Sequence, residues 1–224
     1  MDKKIKTALL VIDLQEEYTS GILEIPYSSN IVNKVNSIQN KFDTVCFIKN
    51  IFPKKDNPKK GKTTISDTGH YCIKGTDGTN FSKDLKTNDN IFIRNYNDSF
   101  GVLNSKNGDT LLYDFLKGNG ITHLFLCGLP GDYSIKYTAL ESIGKFKTYI
   151  IIDAIKTINK LNTFVQYLVG RKIPFIDTND VNLVLKGLTS KPGDIKKKKK
   201  DYNDYKYTKK EIILSKQHNT PNPF

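Results

Sequence analysis

The chain has 224 residues, 38% of them hydrophobic, and a formal net charge of +12, which suits one α/β domain with a sizeable core and argues against two full domains. Its three cysteines, Cys46, Cys72 and Cys127, lie in or beside apolar runs without paired spacing; this argues against a disulfide framework and for a reducing, cytoplasmic setting. The apolar stretch in MDKKIKTALLVIDLQ ends at Asp13 after five residues, too short for a signal-peptide core or a membrane span, so a soluble protein without a membrane partner is expected.

In chain order, TALLVID (residues 7–13) reads as a buried strand, NIVNKVNSIQN (30–40) as a helix with Ile31, Val35 and Ile38 on its apolar face, and TVCFIKN (44–50) as the next strand. A long segment rich in Gly, Pro, Lys and Asp follows, to about Phe81; such length inside a compact domain points to a functional loop or an insertion. Then come a strand at 90–95, a helix at 109–120, a strand at 123–128, a helix from about Ser134, a strand at 148–153, a helix at 158–170, a short strand near IPFID and a helix over DVNLVLKGL. This alternation predicts an α/β, doubly wound, mainly parallel sheet with helices on both faces.

Pro192 and Gly193 break the last helix, and from Lys191 onward ten lysines stand against four acids. The expected organisation is therefore a folded domain over 1–190 and a lysine-rich tail over 191–224. The five-lysine run favours a solvated segment. Tyr202, Tyr205 and Tyr207, interleaved with lysines, make the tail a candidate contact for nucleic acid or an acidic partner.

Open parallel sheets bind ligands beyond the carboxyl ends of their strands. That rule puts Asp13, Asn50, Arg94 and the loop after Gly128 on one edge. A carboxylate closing an apolar strand either caps a turn or faces a pocket, and position alone leaves both open.

The motifs ALLVIDLQEEY, HYCIKGTDGTNF, IFIRNYNDSF and HLFLCGLPGDYSIKYTALES, in this order, resemble the isochorismatase-type cysteine hydrolase superfamily. Cys72, Gly75, Thr76, Gly78 and Phe81 resemble the HC..GT.GA.F pattern of its nicotinamidase branch. The resemblance implies a doubly wound α/β fold, frequent oligomerisation, and amide hydrolysis by an Asp, Lys and Cys triad beside a divalent metal. By position, the triad falls on Asp13, Arg94 and Ser134, and Gln15, Tyr18, Pro130 and Tyr133 are expected to line the substrate pocket.

Two of the three triad types are exchanged. A serine hydroxyl is far less acidic than a thiol and normally needs a histidine base, and His70 is the one histidine expected within reach. An arginine does not cycle a proton as a lysine does, so Arg94 is expected to hold Asp13 in an ion pair. The family's non-proline cis peptide falls on Leu129-Pro130, where proline lowers the preference for trans from about 2.5–4 to about 0.5–1 kcal/mol. Proline also removes one N–H donor from the oxyanion site. The metal-ligand positions fall on Asn50, Phe52 and Tyr71, so no divalent metal or other cofactor is expected.

The leading expectation is thus a nicotinamidase-like protein without amidohydrolase activity, a homo-oligomer or a subunit of a larger complex. The alternatives are an active hydrolase that uses Asp13, on nicotinamide or on a vinyl ether, and an RNA-binding protein acting through its tail.

Overall fold

The computed structural model describes residues 5–54, 71–94, 100, 103–104 and 110–189. The boundary foreseen at 190, the segment 191–224 and His70 lie outside these residues. Seven strands are described: β1 (Thr7–Ile12), β2 (Thr44–Asn50), β3 (Ile91–Arg94), β4 (Leu103–Asn104), β5 (His123–Gly128), β6 (Lys147–Ile155) and β7 (Phe175–Ile176). They form one sheet in the order β4-β3-β2-β1-β5-β6-β7. All neighbours run parallel except β3 and β4, which pair antiparallel at one edge. The two-residue β4 carries no apolar run of its own and was not foreseen; the pairing of Phe92 and Ile93 with it creates it.

The helices are α1 (Glu16–Thr19), α2 (Ser29–Ile38), α3 (Leu112–Gly118), α4 (Lys136–Ser142), α5 (Leu161–Gly170) and α6 (Val181–Thr189). Every residue of β1 is buried, because the sheet is covered on both faces and a strand there has no solvent side. Ala8, Leu10 and Ile12 pack with Leu116 of α3, Ala139 of α4 and Phe164 of α5. Leu9 and Val11 pack with Ile31 and Val35 of α2 and with Val181 of α6. A side-chain period of two thus feeds alternate residues into two cores, giving three layers.

The order of strands reverses between β1 and β5, the place where such sheets open a crevice at their carboxyl edge. Gly128 makes the turn there. It sits at φ +117°, and a Cβ would lie 2.0 Å from the Ile12 carbonyl oxygen, so only glycine fits. The expectation of a cis Leu129-Pro130 bond is corrected, since the described residues contain no cis peptide. Pro130 sits at φ −74° and ψ 146°.

The three cysteines are free and buried. Burial pushes all three thiols well up from their ordinary range. No described helix is long and apolar enough to cross a membrane.

Candidate active site

Parallel register builds the site from backbone alone. Ile12 pairs with Ile48 on one side and Gly128 on the other, and Asn50 pairs with Arg94. The ends of β1, β2, β3 and β5 therefore meet. Asp13 follows directly, in the left-handed region at φ 52°, a conformation that Asp adopts more readily than most residues. Its N–H donates to the Ile48 carbonyl at 2.8 Å.

Asp13 and Arg94 are 0% and 4% exposed and form a buried ion pair through Arg94 Nη2 and Asp13 Oδ2. Asn50 stands between them, its Nδ2 donating to Asp13 Oδ2 at 3.0 Å and its Oδ1 accepting from Arg94 Nε at 2.7 Å. Ser134 closes the ring: its hydroxyl donates to Asp13 Oδ2 at 2.6 Å and accepts from Arg94 Nη2 at 2.6 Å. The ion pair foreseen between Arg94 and Asp13 is present, and the three triad positions are in mutual contact.

Burial is the largest influence on Asp13 and pushes its carboxyl above the ordinary value. The Arg94 charge and hydrogen bonds from Ser134, Arg94 and Asn50 pull it partly back. All three described partners converge on Oδ2, and Oδ1 is buried without one. One carboxylate oxygen is saturated while the other keeps its acceptor capacity.

Ser134 lies in a π-helical turn, Gly131–Ile135, that leads into α4, so the helix foreseen from Ser134 starts two residues later. The Ile135 N–H reaches back five residues to the Pro130 carbonyl at 3.3 Å. Such turns recur at functional sites because they displace side chains from the regular helical path. Asp132 pins this one, its carboxylate accepting the Ile158 and Asn159 N–H groups at 2.9 and 2.8 Å. The Gly131 N–H donates to the Lys156 carbonyl at 2.6 Å.

The four expected pocket residues divide. Gln15 is buried with its amide engaged: Oε1 accepts the Asn50 N–H at 2.8 Å, and Nε2 donates to the Asn50 carbonyl at 2.9 Å and to the Gly78 and Thr79 carbonyls at 3.3 Å. Tyr18 is buried, its phenol pushed well up by that burial. Pro130 is buried at the start of the π turn. Tyr133 is 46% exposed.

The positions that resemble metal ligands carry other chemistry. The Asn50 side chain is held by Asp13 and Arg94, as above. Phe52 packs edge-on against Tyr71, ring centroids 5.0 Å apart, and its backbone bridges to Ile73. A carbon edge, a phenol and an occupied amide do not fit a divalent cation. Among the described residues no three His, Cys, Asp or Glu side chains group to hold one.

Sequence reasoning placed Asn50 on this edge but missed its part in the ring; its register opposite Arg94 was the available signal. It missed Glu17 altogether. The Glu17 Oε2 accepts the Cys72 N–H at 3.0 Å and presses on Gly78, where a Cβ would lie 2.1 Å away. The GT.G stretch thus works here as a backbone cradle for Gln15 and Glu17.

Comparison with known proteins agrees with this fold. The isochorismatase domain matches residues 7–168. The nicotinamidase of Schizosaccharomyces pombe is 25% identical over 188 residues, covering 66% of this chain and 82% of that protein. A nicotinamidase/pyrazinamidase structure from Acinetobacter baumanii superposes with a TM-score of 0.65 at 22% identity, covering 80% of this chain and 100% of that one. The pyrazinamidase of Pyrococcus horikoshii in complex with zinc gives 0.61 at 21%, covering 77% and 99%.

Proposed function

The chain belongs to the isochorismatase family, and we propose that within its nicotinamidase-like branch it acts as a non-hydrolytic binding or assembly subunit. The observation that carries this reading is the closed contact of Ser134 with Asp13 and Arg94, each at 2.6 Å.

A serine attacks an amide only if a base takes its proton. The acceptor in contact is Asp13 Oδ2, which already receives N–H groups from Arg94 and Asn50. Those donors stabilise the anion on that oxygen and offset part of the basicity that burial confers. Arg94 cannot accept a proton. Downstream, Pro130 contributes no N–H toward an oxyanion, and the loss of one such donor lowers rates by roughly a hundredfold or more. The Asn50, Phe52 and Tyr71 positions support a site that works without a divalent metal. The acceptor left over, Asp13 Oδ1, suits a ligand that brings an N–H or O–H donor.

One observation favours a second reading. The upward push on the Asp13 carboxyl is what a general acid needs, as in vinyl-ether hydrolysis. Arg94, which would have to grip a substrate carboxylate, is instead engaged inside the ring.

The test is ammonia release from nicotinamide by the purified full chain, with and without zinc, manganese or iron, beside Asp13→Ala. The expected result is no release from either protein. Release that disappears in the variant overturns the reading, and turnover of isochorismate that disappears in the variant establishes the second.

A further inference from the structure

The flank built by α4 and α5 interleaves cations with aromatic rings. The Lys136 ammonium lies 5.8, 4.9 and 5.7 Å from the ring centroids of Tyr133, Tyr137 and Tyr167, and the Arg171 guanidinium lies 5.6 Å from that of Tyr167. Tyr133 and Tyr137 are 46% and 41% exposed. Arg171 also borders a groove of about 350 Å³ that runs on past Lys147, Lys172, Thr148 and Ser142. The two hydroxyls in that groove are engaged with each other, Thr148 Oγ1 donating to Ser142 Oγ at 2.6 Å. Among the described residues none of Lys136, Lys147, Arg171 and Lys172 has an acidic partner. Aromatic faces and unpaired cations therefore alternate along one stripe, and it lies outside the ring around Ser134.

We propose that this stripe is a binding surface for single-stranded nucleic acid, with bases stacked on Tyr133 and Tyr137 and phosphates on Lys136, Lys147, Arg171 and Lys172. Exposed rings interleaved with cations are what an unstacked strand requires, since every base offers a π face and every nucleotide one negative charge. A duplex keeps its bases stacked on one another and gains only the charge. A second copy of the chain is disfavoured by symmetry, because a two-fold interface sets a patch against itself and would bring these cations together. The segment 191–224 carries ten lysines against four acids and so offers the stripe no complementary charge. The proposal does not depend on whether Ser134 is reactive.

The test is fluorescence anisotropy of the full chain with a dye-labelled twelve-nucleotide uridine RNA, an abasic strand of equal length and charge, and a duplex. The uridine strand is expected to bind most tightly. Tyr133→Ala/Tyr137→Ala should weaken it by at least about tenfold while leaving the abasic strand unchanged and the thermal midpoint close to that of the parent. Arg171→Ala/Lys172→Ala should flatten the log–log salt dependence by about 1.4, at about 0.7 per phosphate contact. Equal binding of uridine and abasic strands, untouched by the tyrosine variants, overturns the proposal and assigns the affinity to the lysine-rich segment. Absence of RNA binding together with self-association that the tyrosine variants abolish also overturns it, in favour of a contact between copies.

Discussion

Asp13 and Glu17 are buried carboxylates four residues apart, and each leaves one oxygen without a partner among the described residues. Their surroundings differ. Asp13 is held by side chains from β2, β3 and the π turn, one of them a guanidinium. The Glu17 partner is a backbone N–H, that of Cys72, with Gly78 against its carboxylate. The Asp13 ring depends on which side chains stand at three distant positions, and a single exchange changes its chemistry. The Glu17 anchor depends on backbone and on the absence of one Cβ, and it fixes the shape of a loop. Charge balance is thus vulnerable at the first carboxylate and loop shape at the second.

The largest expected effect breaks the Asp13 side of this contrast. Asp13→Ala removes the buried carboxylate that faces the Arg94 guanidinium, and should cost about 3–5 kcal/mol of stability, measured by urea unfolding. Asp13→Leu/Arg94→Met should lose far less, since an apolar pair of similar volume is often neutral. A double variant as unstable as the single one would mean that the ring is held by packing rather than charge.

Gly78→Ala tests the other side. Its methyl would displace the Glu17 carboxylate, for an expected loss of about 1–3 kcal/mol. Adding Glu17→Ala, which opens that space, should recover part of it as a coupling energy. Strict additivity would show that the two do not press on each other.

The smallest effect is a slope with pH. The folded Asp13 carboxyl sits above its unfolded value of 3.8, so its contribution to stability is fully present below that value and is lost as pH rises through the raised one. His123 runs the other way. Burial, then Lys147, lowers its ring below 6.5, so its contribution is whole above 6.5 and is lost as pH falls toward the lowered value. Unfolding titrations of the parent, Asp13→Asn and His123→Gln across acid to neutral pH should show these opposite trends, each less than one proton in slope.

The layers of the fold were legible because β1, β2, β5 and β6 are continuous apolar runs, which a sheet covered on both faces requires. The meeting of Asp13, Arg94 and Ser134 was legible through ordered motifs, and the strand-end rule supplied the edge. What was missed needs a partner far along the chain to exist. The pairing of β4 comes from β3, the π turn from Asp132 clasping the residues after β6, and the Glu17 anchor from Cys72, 55 positions away.

The buried cysteines turn the fold into its own clock. A thiol that is protonated and closed off from solvent meets an alkylating reagent only when its surroundings open. Cys46 and Cys127 lie in two of the innermost strands, and Cys72 lies beneath the loop cradle next to Glu17. Mass spectrometry of the three modification rates would therefore time the opening of the cradle against that of the sheet, in the unaltered sequence and without an added label.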